Sequence, residues 1–235
     1  MLLVIGHAIV GALCWALVNV PESNVAMLML SAILIVAIVA CAGWVEAAGV
    51  LAWLTDERPL VVARRAIRGV PAFVVALLLF TAIWWLTGRA LAWHDAHAGE
   101  IDAAVMSRFG SARTAWVHLV YTWTIRFVRW ALGLSLALSL LSAGAALGPR
   151  AMLTRAWVTR ALSPRRLIVL TALFVVFLVL PWQAVYWRPR GLPATSIEAA
   201  FVALKLGLIA IVAHIGWALM LRSTTRSYSF APRRT

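Results

Sequence analysis

Residues 25–54 read VAMLMLSAILIVAIVACAGWVEAAGVLAWL, and Glu46 is the only charged side chain in this stretch. A transmembrane helix needs about 20 consecutive apolar residues to cross the hydrocarbon core of a bilayer. The stretch therefore predicts a membrane-spanning helix that projects beyond the core at one end. Counting about 20 residues from Val25 places the edge of the core near Trp44. We therefore expect Glu46 to lie at the interface, where water reaches it from the cytoplasm.

The rest of the chain repeats this pattern of long apolar blocks. Of its 235 residues, 64% are hydrophobic and 12% are charged, whereas about a quarter of the residues in a soluble domain are charged. This composition excludes a globular enzyme in solution. It predicts an all-α membrane protein with six transmembrane helices, in which residues 1–222 form one polytopic domain and residues 223–235 form a short, disordered basic tail in the cytoplasm. The apolar blocks lie at about 2–20, 25–54, 70–93, 114–147, 167–187 and 197–221.

The basic residues are distributed unevenly between the two sides that six spans define. The chain has 21 Lys and Arg residues against 8 Asp and Glu residues, a net charge of +13. Cytoplasmic loops of membrane proteins carry the excess of arginine and lysine, so we expect both termini in the cytoplasm of a bacterial inner (plasma) membrane. The basic loops are expected to contact anionic lipids and not nucleic acid. Thirteen arginines lie on the predicted cytoplasmic side: Arg58, Arg64, Arg65, Arg68, Arg150, Arg155, Arg160, Arg165, Arg166, Arg222, Arg226, Arg233 and Arg234. Five lie in the opposite loops: Arg89, Arg108, Arg113, Arg188 and Arg190.

Two of the basic loops are predicted to form amphipathic helices at the cytoplasmic surface, over residues 60–68 and 151–161. Such a helix lies in the interface with its apolar face towards the membrane. Residues 58–93 and 150–187 also share an order of arginines, proline, apolar helix and aromatic end. Either an internal duplication or any basic loop before a membrane helix would produce that order. The side chains expected to face lipid or the core are Val61, Val62, Ala66, Met152, Ala156 and Leu162.

Three histidines near the predicted outer face form a candidate metal site. His94 and His97 are three residues apart beside carboxylates, and His118 follows on the next apolar block. Imidazoles at this spacing can meet on one helical face and bind zinc or copper. The alternative is an ordinary polar loop that begins a helix.

Four charged residues form a candidate anion site in the outer half of the membrane. Arg126 and Arg129 share one face of the fourth block, and Lys205 lies about two turns into the sixth block, roughly 12 Å deep. Glu198 precedes Lys205 by seven residues on nearly the same face. If the two helices are neighbours, the excess of positive charge needs a lipid phosphate or another anionic ligand. The alternative is that the long side chains extend outwards to the headgroups among tryptophans.

A second histidine pair lies towards the predicted inner leaflet. His7 is in the first apolar block and His214 is in the sixth. Histidines on neighbouring helices can hold a haem iron between them as axial ligands. The alternative is a buried histidine that hydrogen-bonds a neighbouring helix.

The fourth block also has a face of small residues: Ser135, Ser139, Ser142 and Gly144. Small residues allow membrane helices to approach closely, so we expect this face to pack against another helix.

No catalytic motif is present in the sequence. It contains no Gly-x-Ser-x-Gly, His-Glu-x-x-His or phosphate-binding Gly-rich motif, and its eight acidic residues leave few groups for acid–base chemistry. The sequence therefore favours a non-catalytic membrane subunit or scaffold that binds lipids and a membrane protein partner. Two alternatives stay open. One is a small carrier or lipid-handling protein with the outer anion site, and the other is a haem or metal protein that uses the histidines. No cofactor is strongly implied.

Overall fold

The computed structural model describes residues 2–21, 23–110, 113–186, 196–226 and 228, and these residues form helices and short turns without a strand. The α-helices are α1 (Leu2–Val18), α2 (Val25–Leu54), α3 (Pro59–Ala66), α4 (Val70–Ala96), α5 (Ala98–Phe109), α6 (Thr114–Phe127), α7 (Gly133–Leu147), α8 (Ala156–Ala161), α9 (Pro164–Phe174), α10 (Leu180–Tyr186) and α11 (Ser196–Thr225). Short 3₁₀ turns cover Ile67–Gly69 and Pro149–Leu153, and π-helical turns at Val128–Leu132 and Val175–Val179 join α6 to α7 and α9 to α10. The all-α fold predicted from the sequence is confirmed.

Five helices are long and apolar enough to cross a membrane, which is the architecture of a multi-pass membrane protein. They are Val25–Leu54, Pro59–Ala96, Thr114–Leu147, Pro164–Tyr186 and Ala199–Thr225. The remaining predicted span is α1, a shorter apolar helix of 17 residues. Each of the six apolar blocks in the sequence thus forms a helix, and five of these helices have the length of a full crossing.

The helix Thr114–Leu147 is the central one, and most of its apolar window is buried inside the protein. Its second half, α7, packs against α4, α2, α8 and α11. The small-residue face predicted from the sequence lies at these contacts, because Ser135, Ser139 and Ser142 are fully buried. Leu134, Leu138 and Leu141 complete the core with residues of the surrounding helices: Val50, Ala76, Leu170, Met220 and Leu221.

Glycine sets the distance between α7 and α4. A Cβ atom added at Gly144 would collide with the Cβ of Ala72 and would lie 3.3 Å from the Met152 side chain. Ala72 cannot move without shifting α4, since its Cβ is attached directly to the backbone. The absence of a side chain at Gly144 therefore permits the close crossing.

We expect Gly144→Ala to lower the free energy of unfolding by about 1–3 kcal/mol, the usual cost of overpacking a core. Gly11→Ala is the matched control, because no atom lies within 4 Å of a Cβ at Gly11 and alanine favours helix by up to about 1 kcal/mol. Denaturation in mixed detergent micelles, followed by circular dichroism, measures both variants. Equal stability of the two variants would contradict the close crossing.

The first predicted amphipathic segment is helical, and the second is divided. In α3, Val62 and Ala66 are buried while Val61 is exposed, and the indole of Trp44 donates a 2.8 Å hydrogen bond to the carbonyl of Ala63. The segment 151–161 is not one helix, since the 3₁₀ turn ends at Leu153 and α8 begins at Ala156.

The two halves of this second segment are joined by a side-chain contact. Trp157 donates a 2.8 Å hydrogen bond to the Met152 carbonyl across the break. Leu162 lies beyond the end of α8 and is exposed. The expected single amphipathic helix is therefore replaced by two short turns of helix.

The basic ends of several helices meet at one end of the protein. The Arg222 guanidinium lies 5.0 Å from the centre of the Trp53 ring, which joins the ends of α11 and α2. Arg160 lies 4.5 Å from the ring of Tyr228. The last helix continues to Thr225 and Tyr228 is buried, so the first residues of the predicted tail are packed. Residues 229–235 lie outside the described part of the chain.

Candidate functional site

Glu46 is a carboxylate enclosed by three helices. Its side chain is 8% exposed, and it lies on α2 in a buried run that includes Val45, Ala47 and Ala48. Both α1 and α11 pack against α2. The expected access of water to Glu46 from the cytoplasm is therefore wrong. A count of residues along α2 ignores the neighbouring helices, and those helices cover this turn.

Two nitrogen atoms contact the Glu46 carboxylate. Nε2 of His7, on α1, lies 3.0 Å from Oε1. Nε1 of Trp217, on α11, donates to both carboxylate oxygens at 2.8 Å. An indole nitrogen can only donate, whereas an imidazole nitrogen donates or accepts according to its protonation. Trp217 thus fixes the carboxylate in place, and the His7 contact is the one across which a proton can move.

His214 extends this polar group to the protein surface. Its ring lies edge-on to the His7 ring, with 5.0 Å between the ring centres. Nδ1 of His214 donates to the Ala210 carbonyl at 2.9 Å, because a carbonyl only accepts. The three titratable side chains form a row from buried Glu46, through His7 with a quarter of its side chain exposed, to exposed His214.

The His7 and His214 rings do not fit a haem. An iron with two axial histidines lies in the macrocycle between their rings, yet these two rings touch each other directly. Nε2 of His7 faces Glu46, and Nδ1 of His214 faces its own helix. The structure brings the predicted pair together as adjoining rings in edge-on contact and not as opposed ligands.

The outer histidines form a chain in which His97 has no part. Nδ1 of His118 lies 2.9 Å from Nε2 of His94, and Nε2 of His118 lies 2.7 Å from a carboxylate oxygen of Asp102. His97 instead donates from Nδ1 to the Trp93 carbonyl and stacks on the Trp93 ring. Both nitrogens of His118 are thus engaged. Within the described residues no group of three His, Cys, Asp or Glu side chains could hold a metal ion.

This histidine chain connects the helices at that end of the protein. His94 is buried and stacks on the ring of Tyr121, with 4.2 Å between the ring centres. The Tyr121 hydroxyl donates to the Ala90 carbonyl at 2.9 Å. The contacts join α4, α5 and α6, which indicates a structural role.

The two predicted arginines of the outer anion site have aromatic neighbours. Arg129 donates from Nε to the Thr87 hydroxyl at 2.9 Å and lies 4.3 Å from the centre of the Trp84 ring. Arg126 lies 5.7 Å from the Trp123 ring on its own helix. Arg129 therefore turns towards α4.

Lys205 contacts a different helix. Its Nζ donates to the carbonyl of Val185 on α10 at 2.8 Å, and it lies 5.5 Å from the ring of Phe201. The contacts found for Lys205, Arg126 and Arg129 thus lead to three different helices. The side chain of Glu198 lies outside the described residues.

A second buried charge, Arg166, lies at the basic end, and its place in a basic loop of the sequence indicates only topology. It is 8% exposed. Its guanidinium donates to the Ser139 hydroxyl at 3.1 Å and to the carbonyl of Thr224. The Tyr228 hydroxyl donates to the Ser139 carbonyl at 3.1 Å. Arg166 thereby joins α9 to α7 and α11, and only the serine face of α7 was visible in the sequence.

Comparisons with protein-family models, curated proteins and solved structures found no match to the chain. Function is therefore argued from the chemistry of these sites. The Glu46 group is the stronger candidate, because an ionisable carboxylate within a membrane-spanning helix is costly to bury and usually has a function.

Proposed function

We propose that the protein is a six-span membrane protein of the bacterial inner membrane, with both termini in the cytoplasm, and that it works as a small proton-coupled carrier. The observation that supports a carrier is buried Glu46, held between His7 and Trp217. A scaffold needs only apolar and small faces for packing, whereas chains of Glu and His within membrane helices are typical of proton relays.

The donor set around Glu46 favours a proton over a metal cation. Hard cations such as sodium, calcium or magnesium prefer several oxygen ligands. The described neighbours of this carboxylate are a histidine ring and an indole N–H, and the indole hydrogen would repel a cation. A proton, in contrast, can be shared between the carboxylate and Nε2 of His7.

His214 is the next titratable side chain beyond His7 in the proposed relay. Its Nδ1 hydrogen is directed to the Ala210 carbonyl, so the neutral ring has its accepting nitrogen at Nε2. The His214 ring adjoins the His7 ring, with 5.0 Å between the ring centres, so a proton that enters the relay at His214 would reach Glu46 through His7.

A membrane subunit or scaffold is the second candidate function, and exposed His214 is the observation that favours it. This polar ring lies in the middle third of α11, beside exposed Ile211 and Ile215. Polar side chains in membrane helices commonly hydrogen-bond a neighbouring helix. A partner helix over this face would cover both the ring and the apolar side chains.

Proton-jump measurements on proteoliposomes attached to a solid-supported membrane test the carrier. Acid jumps should produce a transient charge movement in the intact protein. Glu46→Gln should abolish it, because glutamine keeps the size and an acceptor oxygen but binds no proton. Glu57→Gln is the matched control, since Glu57 lies in the loop before α3 and pairs with Arg65 at 2.6 Å. Absence of charge movement in the intact protein would leave only the scaffold.

Reporter fusions test which side of the membrane each loop occupies. Fusions after Arg68, after Arg166 and at the C-terminus should report the cytoplasm, and a fusion at Gly99 should report the opposite side. The reason is the concentration of arginines in the loops at one end. Paired alkaline phosphatase and fluorescent protein fusions make the measurement, and one reversed loop would overturn the six-span topology.

A further inference from the structure

Four arginines line one cleft at the basic end of the helices. The cleft has a volume of about 530 Å³ and lies between the start of α9, the end of α8 and the end of α11. None of its described lining residues is acidic. The lining residues are Arg160, Ser163, Arg165, Arg166, Val169, Ser223 and Arg226.

Two of these guanidinium groups are fixed in position by other parts of the protein. Arg166 is held by the Ser139 hydroxyl and the Thr224 carbonyl. Arg160 lies against the ring of buried Tyr228. A guanidinium that is already ordered loses little conformational freedom when it binds a planar or tetrahedral oxyanion.

The neutral groups of the cleft also suit an anion. The Ser163 side chain lines the cleft and makes no capping hydrogen bond at the start of α9. An 11-residue helix begins there, and the amide groups of a first helical turn favour negative charge. Like charges around one cavity repel, so an anion with two or more oxygens would lower the electrostatic energy.

We propose that this basic cleft binds a phosphate group. The apolar surface beside it favours a phospholipid headgroup as the source, since Ile168 and Val169 are exposed on the adjoining turn of α9 and could contact an acyl chain. A free phosphate compound has the same headgroup chemistry, and arginine recognises both through paired charge-assisted hydrogen bonds. This site is separate from the Glu46 group and does not depend on the carrier proposal.

Isothermal titration calorimetry on the full-length protein in a neutral detergent tests the cleft with two probes. One probe is inorganic phosphate, and the other is a short-chain phosphatidylglycerol. The test variant is Arg165→Gln combined with Arg226→Gln, which removes the charge of two exposed side chains that line the cleft. The control is Arg68→Gln combined with Arg155→Gln, which removes equal charge from exposed positions at the same end of the protein but outside the cleft.

We expect the test variant to bind the probe at least about tenfold more weakly, because a hydrogen bond to a charged group is worth more than a factor of ten in affinity. The control should change affinity by less than about twofold. Binding of phosphatidylglycerol alone identifies a lipid headgroup, and binding of inorganic phosphate as well identifies the anion itself. The proposal is overturned if neither probe binds, or if the control weakens binding as much as the test variant.

Discussion

Glu46→Ala is expected to lower the free energy of unfolding by about 3 kcal/mol, the loss that follows when a buried polar group loses its partner. Alanine would leave the Trp217 N–H, which lies 2.8 Å from the carboxylate, without its acceptor. It would also remove the contact of His7 with α2. The three helices α1, α2 and α11 would therefore lose their shared polar contact in one substitution.

Glu46→Gln separates this loss of stability from the loss of proton binding. Glutamine retains an oxygen that accepts from Trp217, so we expect a cost of about 1 kcal/mol or less. Glu57→Ala is the control for removing a carboxylate, because its ion pair with Arg65 is partly exposed and such pairs contribute about 0–1 kcal/mol. Unfolding in mixed micelles, followed by tryptophan fluorescence and circular dichroism, measures all three. A Glu46→Ala protein as stable as the Glu57→Ala protein would contradict the buried site.

The two candidate functions predict different results for the glutamine and alanine variants of Glu46. In a carrier, Glu46→Gln keeps the fold and abolishes proton-driven charge movement. In a scaffold, Glu46 acts only through its hydrogen bonds, so glutamine would be neutral in every assay. The comparison of glutamine with alanine at one position therefore distinguishes a chemical role from a structural one.

The helices were predictable from the sequence because a membrane constrains the backbone locally. Within hydrocarbon, each backbone polar group must be satisfied inside its own segment, so a long apolar block such as 25–54 predicts a helix without knowledge of its neighbours. The small-residue face of α7 was predictable for a related reason. Ser135 and Ser139 are too small to fill space against lipid, and they are fully buried.

The environment of Glu46 could not be predicted in the same way. Its burial depends on where α1 and α11 cross α2, and these contacts join residues as distant in sequence as Glu46 and Trp217. The position of His97 was also not predictable, for a local reason. It lies at the junction of α4 and α5, so the three-residue spacing from His94 does not continue along one helix.

Two neighbouring arginines on α9 have the same side chain but lie in different environments. Arg165 and Arg166 are adjacent in the sequence, which predicts the same cytoplasmic loop environment for both. In the structure, Arg165 is exposed whereas Arg166 is buried against Ser139 and Thr224. Successive residues of a helix point about 100° apart. Which of the two side chains faces α7 therefore depends on how α9 packs against α7, and not on the residue type.

Arg166→Ala is expected to destabilise the protein by about 3–4 kcal/mol. The variant loses two hydrogen bonds from a charged donor, worth about 1.5–3 kcal/mol each when measured singly, and it leaves the buried Thr224 carbonyl without this donor. It also removes buried side-chain volume between α7, α9 and α11, so the cavity adds to the cost. Arg166→Lys should recover about half of the loss, because a lysine ammonium can reach one acceptor but lacks the planar fork that reaches both.

The adjacent residue provides the control for this last prediction. Arg165→Ala removes the same charge from the same turn of α9, but its side chain is exposed, so we expect a change within about 0.5 kcal/mol. Unfolding midpoints in mixed micelles at matched protein concentration compare the three variants. If Arg166→Ala unfolds at the same midpoint as Arg165→Ala, the contacts to Ser139 and Thr224 contribute no net stability. The order we expect, from most to least stable, is Arg165→Ala, Arg166→Lys and Arg166→Ala. The first variant keeps the charged donor for both buried acceptors, the second keeps it for one, and the third keeps it for neither.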